Sequence, residues 1–204
     1  MKSSVLAKIK TKRQPGVLFE MASIFPAYMS DPMLKKEVLR LCKAKELMRF
    51  CYGLYYLPGD GEPALIDAIK LRYLSNGNEV YGVYSGQSFL RDLKGFSIDE
   101  NQTIEISTNK ETSGKKNMAF GNVQLILKKP YIKIDKYNAA MVALFSYLAY
   151  ASLKDIDGNS SLLSSYVRNN HLSAIEAAKV MDKFPGKVAK KLLKTDLYRS
   201  FWKH

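Results

Sequence analysis

Cysteine and histidine are almost missing from this chain of 204 residues, with two of each. Cys42 and Cys51 are spaced neither as a CxxC redox pair nor as a zinc knuckle, and His171 and His204 make no familiar zinc spacing with them. Both cysteines stand among apolar neighbours and read as buried free thiols. No metal and no other cofactor is expected. Acidic charge is the next shortage. There are 19 Asp and Glu against 32 Lys and Arg, for a net charge of +13. Such an excess attracts a polyanion, either nucleic acid or an anionic membrane surface. The one membrane candidate is the uncharged run of 15 residues from Ala139 to Leu153. It falls short of the roughly 20 residues a spanning helix needs, and Ser146, Tyr147, Tyr150 and Ser152 interrupt it, so it reads as a buried core helix. The amino end lacks the apolar segment of a secretory signal, which points to a cytoplasmic protein. Catalytic signatures are missing too: there is no GxGxxG, P-loop, HExxH or GxSxG. Asp155, Asp157 and Gly158 resemble the opening of a calcium loop, but no later Glu closes it, and the segment reads as a turn. Asp99 and Glu100 read as a solvated turn. The chain is not expected to be an enzyme.

What is present is organised by charge. Residues 1–60 hold 11 basic and 5 acidic side chains, residues 61–153 hold 11 and 9, and residues 154–204 hold 10 and 5. Both ends are basic and the middle is close to neutral. Turn residues cluster at Pro58-Gly59-Asp60-Gly61 and again over residues 154–161. The domains expected are therefore 1–60 and 61–204.

In the first domain, Ser3 or Ser4 caps a helix running to about Lys12, with Val5, Leu6 and Ile9 on one face. Pro15-Gly16 ends it, and Leu18 to Phe25 suits a second helix. Asp31 is an N-cap with Pro32 at the first helical position, where a missing N–H costs nothing. The third helix, about Pro32 to Ala44, carries Leu34, Val38, Leu41 and Cys42 on one stripe. Lys36, Arg40 and Lys43 lie on another, with Lys35 beside them. A helix about 12 Å across, apolar behind and basic in front, fits a DNA major groove; a solvated charged face has the same pattern. Leu47–Cys51 and Leu54–Leu57 follow as strands around a Tyr52-Gly53 turn. Three short helices and then a tight hairpin is the order of a winged helix-turn-helix.

The second domain reads as an α+β mixture of a small sheet and several helices. Helices are expected over Pro63–Leu74, Ser85–Leu93 and Lys136–Leu153, with two or three more after that. Strands are expected over Glu79–Tyr84, Gln102–Ser107 and Asn122–Leu127, the last two flanking a loop rich in Lys, Asn and Gly. Near the carboxyl end Lys187, Lys190, Lys191 and Lys194 form a basic stripe opposite Val188 and Leu192, cut off from Lys179 and Lys183 by Pro185-Gly186. Three uses stay open for it: a solvated face, a second nucleic-acid contact, or a surface for an acidic or RNA partner. Tyr198, Phe201 and Trp202 suit either core packing or base stacking.

Several stretches resemble the AbiEi-type antitoxins of abortive-infection, or type IV toxin–antitoxin, systems. The first is Arg40-Leu41, Lys43, Glu46-Leu47 and Arg49, followed by Gly53-Leu54-Tyr55-Tyr56-Leu57-Pro58. The second runs from Gly82-Val-Tyr-Ser-Gly86 through Leu93 to Ile104-Glu-Ile-Ser-Thr-Asn109. The third is Ile134-Asp-Lys-Tyr-Asn138 before the apolar helix. Together they cover about residues 1–153. Where family members often have Gly closing the third helix this chain has Lys45, and where they often have a basic residue before the hairpin glycine it has Tyr52. The resemblance implies a winged helix that binds inverted repeats in its own promoter and represses the operon. It further implies a carboxy-terminal domain that opposes a nucleotidyltransferase-like toxin without a stable complex. The partners implied are double-stranded DNA and, functionally, that toxin, with no membrane; the protein would act as a monomer or assemble cooperatively on DNA. Candidate DNA-contacting residues are Lys35, Lys36, Arg40, Lys43 and Arg49, with Lys187, Lys190, Lys191 and Lys194 as a possible second basic surface. A winged-helix regulator of an unrelated operon and an RNA-binding accessory protein are the alternatives.

Overall fold

The computed structural model describes residues 4–95 and 102–202. The fold is α+β, as expected, and two compact units divide it, Met1–Leu71 and Arg72–His204. The division falls inside a helix rather than at the Pro58–Gly61 turn, because α4 (Leu65–Tyr73) continues across residue 71.

The first unit runs α1 (Ser4–Lys12), β1 (Phe19–Glu20), α2 (Met21–Ile24), a 3₁₀ turn (Pro26–Met29), α3 (Pro32–Lys43), β2 (Met48–Cys51) and β3 (Leu54–Tyr56). The helix expected over residues 18–25 is thus half strand. Phe19 pairs with Tyr55 and Glu20 with Leu54, so β1 adds a third strand in the order β1-β3-β2. An apolar run this short has no period by which helix and strand can be told apart. The hairpin forms where expected, with Gly53 at φ +80 in its turn and a bulge between Arg49 and Cys51. Gly pays no Cβ penalty there. Leu6 and Ile9 of α1, Phe19, Met21, Ile24, Val38, Leu41, Leu47, Tyr55 and Leu57 make one core. Burying each such side chain is worth about 1.5–3 kcal/mol, more than a surface ion pair contributes, so core packing fixes which face of α3 turns outward.

The second unit contains β4 (Gly82–Tyr84), α5 (Gly86–Leu93), β5 (Thr103–Thr108), β6 (Lys115–Phe120) and β7 (Val123–Lys128). The sheet order is β4-β5-β7-β6, with β5 parallel to β7 and the other pairs antiparallel. Strand β6 occupies the segment expected to be a loop, paired from Lys115↔Lys128 to Phe120↔Val123. It is an edge strand and mostly exposed, so Lys-Lys-Asn-Met-Ala-Phe lacks the alternation that marks a half-buried strand. Gly82 stands where a Cβ would lie 1.9 Å from the Tyr73 carbonyl oxygen, an approach only glycine allows.

Helix α6 (Ala139–Tyr150) is the buried core helix, with Val142, Leu144, Phe145, Leu148 and Ala149 fully enclosed. After it come α7 (Leu153–Gly158), α8 (Ser160–Asn169), α9 (Ala174–Met181), α10 (Lys187–Lys194) and a 3₁₀ helix (Asp196–Phe201). The turn expected over residues 154–161 is therefore helical. A capping box explains it: the Ser152 side chain accepts from the Asp155 N–H, and the Asp155 carboxylate accepts from the Ser152 N–H. The break at Pro185-Gly186 stands between α9 and α10.

Candidate nucleic-acid interface

Helix α3 starts as its sequence dictates. The Asp31 carboxylate accepts from the Met33 and Leu34 N–H groups at 2.9 and 3.1 Å, and Pro32 takes the first turn. It ends in a left-handed residue. Lys45 has φ +55, the Lys45 N–H donates to the Cys42 carbonyl at 3.1 Å and the Glu46 N–H to the Leu41 carbonyl at 3.0 Å. That is the paired closure in which glycine is the common residue, so Lys45 adopts its conformation at a cost of roughly 1–2 kcal/mol.

Val38 and Leu41 are buried, with Leu34 and Cys42 packed partly behind them. Lys35, Lys36, Arg40 and Lys43 are all exposed on the outer side. They share that surface with two apolar side chains, Met33 and Leu39, which are 74% and 55% exposed. Arg49 is exposed on β2, its guanidinium 5.7 Å from the centre of the Tyr52 ring. Tyr52 itself is 62% exposed at the hairpin turn. A groove lined by Met29, Lys35, Leu39, Arg49, Tyr52 and Tyr55 runs between α3 and the hairpin. The Tyr28 and Tyr55 hydroxyls are 2.6 Å apart across its floor. Burial first, then that hydrogen bond, pushes the Tyr55 hydroxyl well above its usual range. The two cysteines are free but only half-buried, a correction to the expectation of buried thiols: Cys42 borders this groove, and Cys51 stands at the bulged end of β2 beside the hairpin turn.

One member of the basic face is not a simple outward charge. The Arg40 Nε and Nη2 donate to the two carboxylate oxygens of Glu37 at 2.8 and 2.9 Å. That fork raises the Arg40 pKa further, chiefly through the hydrogen bonds and then the charge of Glu37. Glu37 was legible in the sequence as an acidic residue three positions before an arginine on a helix, a spacing that brings side chains together.

The chain matches no protein-family model, no curated protein and no solved structure. Its chemistry has to be read from these side chains.

The carboxyl-terminal stripe divides. Lys187, Lys190 and Lys194 are exposed on α10. Lys191 is not part of an open face: its Nζ donates to the Leu148 and Ala151 carbonyls at 2.8 and 2.5 Å, closing the end of α6. The sequence placed it among the other lysines because the acceptor carbonyls lie about 40 residues away along the chain. Lys187 lies 5.5 Å from the Tyr150 ring, and Lys128, which pairs with Glu105, lies 4.2 Å from the same ring. Of the terminal aromatics, Phe201 is buried, whereas Trp202 is 73% exposed. His171 closes α8 with φ +51. Asp99, Glu100 and His204 lie outside the described residues. Among the described residues no three His, Cys, Asp or Glu side chains gather as a metal site, and no helix is long and apolar enough to cross a membrane.

Proposed function

We propose that the first unit is a winged helix that binds double-stranded DNA, with α3 in the major groove and the β2–β3 hairpin against the backbone. The chain would be a DNA-binding autorepressor and antitoxin of a type IV toxin–antitoxin system, and not an enzyme. One observation carries the DNA reading. Helix α3 is packed by Val38 and Leu41 behind, exposes Lys36, Arg40 and Lys43 in front, and stands beside a hairpin that exposes Arg49 and Tyr52. The element order, with a three-stranded sheet β1-β3-β2 closing on the hairpin, is compatible with it. Lysines and arginines on a helix face neutralise phosphates, and an arginine on the same face reads base edges. The antitoxin part rests on the resemblance of residues 40–58, 82–109 and 134–138 to the AbiEi-type family.

The test is a gel shift on the chain's own promoter duplex, against a structured RNA of equal length, through a salt series. Binding is expected to favour the duplex, with log affinity falling by about 0.9 per neutralised phosphate for each decade of salt. The Arg40→Ala/Lys43→Ala variant is expected to lose most of the affinity with its fold intact. Equal binding by that variant, or a preference for the RNA, refutes the DNA reading. Co-expression with a nucleotidyltransferase-like toxin encoded beside the gene tests the antitoxin role: no rescue of growth refutes it.

A further inference from the structure

A guanidinium has five N–H groups in one plane, arranged in two usable edges. In Arg40 the edge made by Nε and Nη2 is taken by Glu37, with both bonds at 2.8–2.9 Å. Among the described residues the other edge, Nη1 with the second N–H of Nη2, has no hydrogen-bond partner. Its two N–H groups run parallel and point away from Glu37. That free edge can match the O6 and N7 acceptors of a guanine in the major groove. The Arg40 side chain is 55% exposed and that of Glu37 29%, so the arginine is the more open of the pair to a partner.

A carboxylate on a DNA-facing helix is otherwise a loss, since it repels every phosphate it approaches. An exposed pair at this spacing adds little to stability. What it does do is hold a long side chain in one geometry before binding, so that less freedom is lost when the base is met. We propose that Glu37 is a positioning residue that aims Arg40 at a single guanine in duplex DNA, giving sequence preference at the expense of general affinity. The proposal rests on the duplex-binding reading above. It makes Glu37 oppose binding through charge and favour discrimination through geometry, so one substitution moves two readouts in opposite directions.

The experiment uses the full chain and a randomised duplex library, from which bound sequences are selected and counted. Affinities are then measured for a selected duplex, for its copy with the guanine changed to adenine, and for a duplex of arbitrary sequence. The wild type is expected to discriminate against the adenine copy by about 5- to 150-fold, which is about 1–3 kcal/mol. In Glu37→Gln the affinity for the arbitrary duplex is expected to rise, because a negative charge has gone, while discrimination shrinks several-fold. Arg40→Lys, which keeps the charge but not the planar edge, is expected to abolish discrimination with the salt dependence unchanged. Circular dichroism of each variant confirms the fold. If Glu37→Gln binds both duplexes more tightly by the same factor, with discrimination intact, Glu37 is an ordinary surface ion pair and the proposal is overturned. If discrimination survives Arg40→Lys, the base is read by another residue and it is overturned again. If the wild type binds no duplex, the DNA reading itself fails and takes the proposal with it.

Discussion

Replacing Lys191 with Met separates the one lysine of the terminal stripe that holds the fold from the three that do not. The last carbonyls of a helix have no partner within it. In α6 the Leu148 carbonyl and the Ala151 carbonyl that follows are both met by the Lys191 ammonium, at 2.8 and 2.5 Å. Methionine keeps the length and most of the apolar stem but donates nothing. Each hydrogen bond from a charged donor contributes about 1.5–3 kcal/mol, and bringing the charge out of water offsets part of that. Burial first, and Lys187 second, hold the Lys191 ammonium below the usual lysine range, in keeping with a desolvation cost. Desolvation therefore offsets part of the gain from the two carbonyls, and the net cost of Lys191→Met belongs near about 1–3 kcal/mol rather than at the sum of two bonds. Lys190→Met and Lys194→Met, on the exposed side of the same helix, should stay within about 0.5 kcal/mol. Equilibrium urea unfolding followed by circular dichroism measures this. With a slope of about 1–3 kcal/mol per molar, Lys191→Met should lower the midpoint by on the order of 1 M with the slope unchanged. A midpoint shift no larger than that of Lys190→Met would refute the capping argument.

Lys45→Gly should stabilise the first unit by about 1 kcal/mol in thermal unfolding, because the φ of +55 that strains lysine is free for glycine. A loss of stability would show that the lysine side chain holds something at that position. Asp31→Ala should cost about 1 kcal/mol and Asp31→Asn only a fraction of it, since asparagine still accepts from the Met33 and Leu34 N–H groups. Tyr147→Phe should stabilise the second unit by on the order of 1 kcal/mol, as the Tyr147 hydroxyl is buried with no hydrogen-bond partner. In alkali the second unit should weaken: burial pushes Tyr131 and Tyr147 up to about 12, with Tyr150 and Asp155 adding to the respective shifts. Raised pKa values mean the native state keeps these protons longer than the unfolded chain, so their contribution is complete below about pH 10 and is lost as pH rises towards 12. Stability that rises from pH 10 to 12 in a urea series would contradict that sign.

Much of the candidate site was legible in the sequence because its determinants are local. Asp31-Pro32 starts α3, Leu34, Val38 and Leu41 give its inward face, Lys36, Arg40 and Lys43 its outward one, and Tyr52-Gly53 turns the hairpin. Each of these signals lies within a turn or two of the chain, where caps, periodicity and turn chemistry act. The apolar α6 and the break at Pro185-Gly186 were legible for the same reason. The Arg40–Glu37 fork is within reach of the same rules, at a spacing of three residues on one helix. Other features depend on groups far apart in sequence. Phe19-Glu20 becomes a strand because β3 offers it partners at Leu54 and Tyr55, and Lys115–Phe120 becomes one because β7 has an open edge beside it. Lys191 leaves the basic stripe because two orphan carbonyls of α6 are within its reach. Strand pairing and the satisfaction of helix ends are settled by whichever backbone groups the core brings close, so only the tertiary structure decided them.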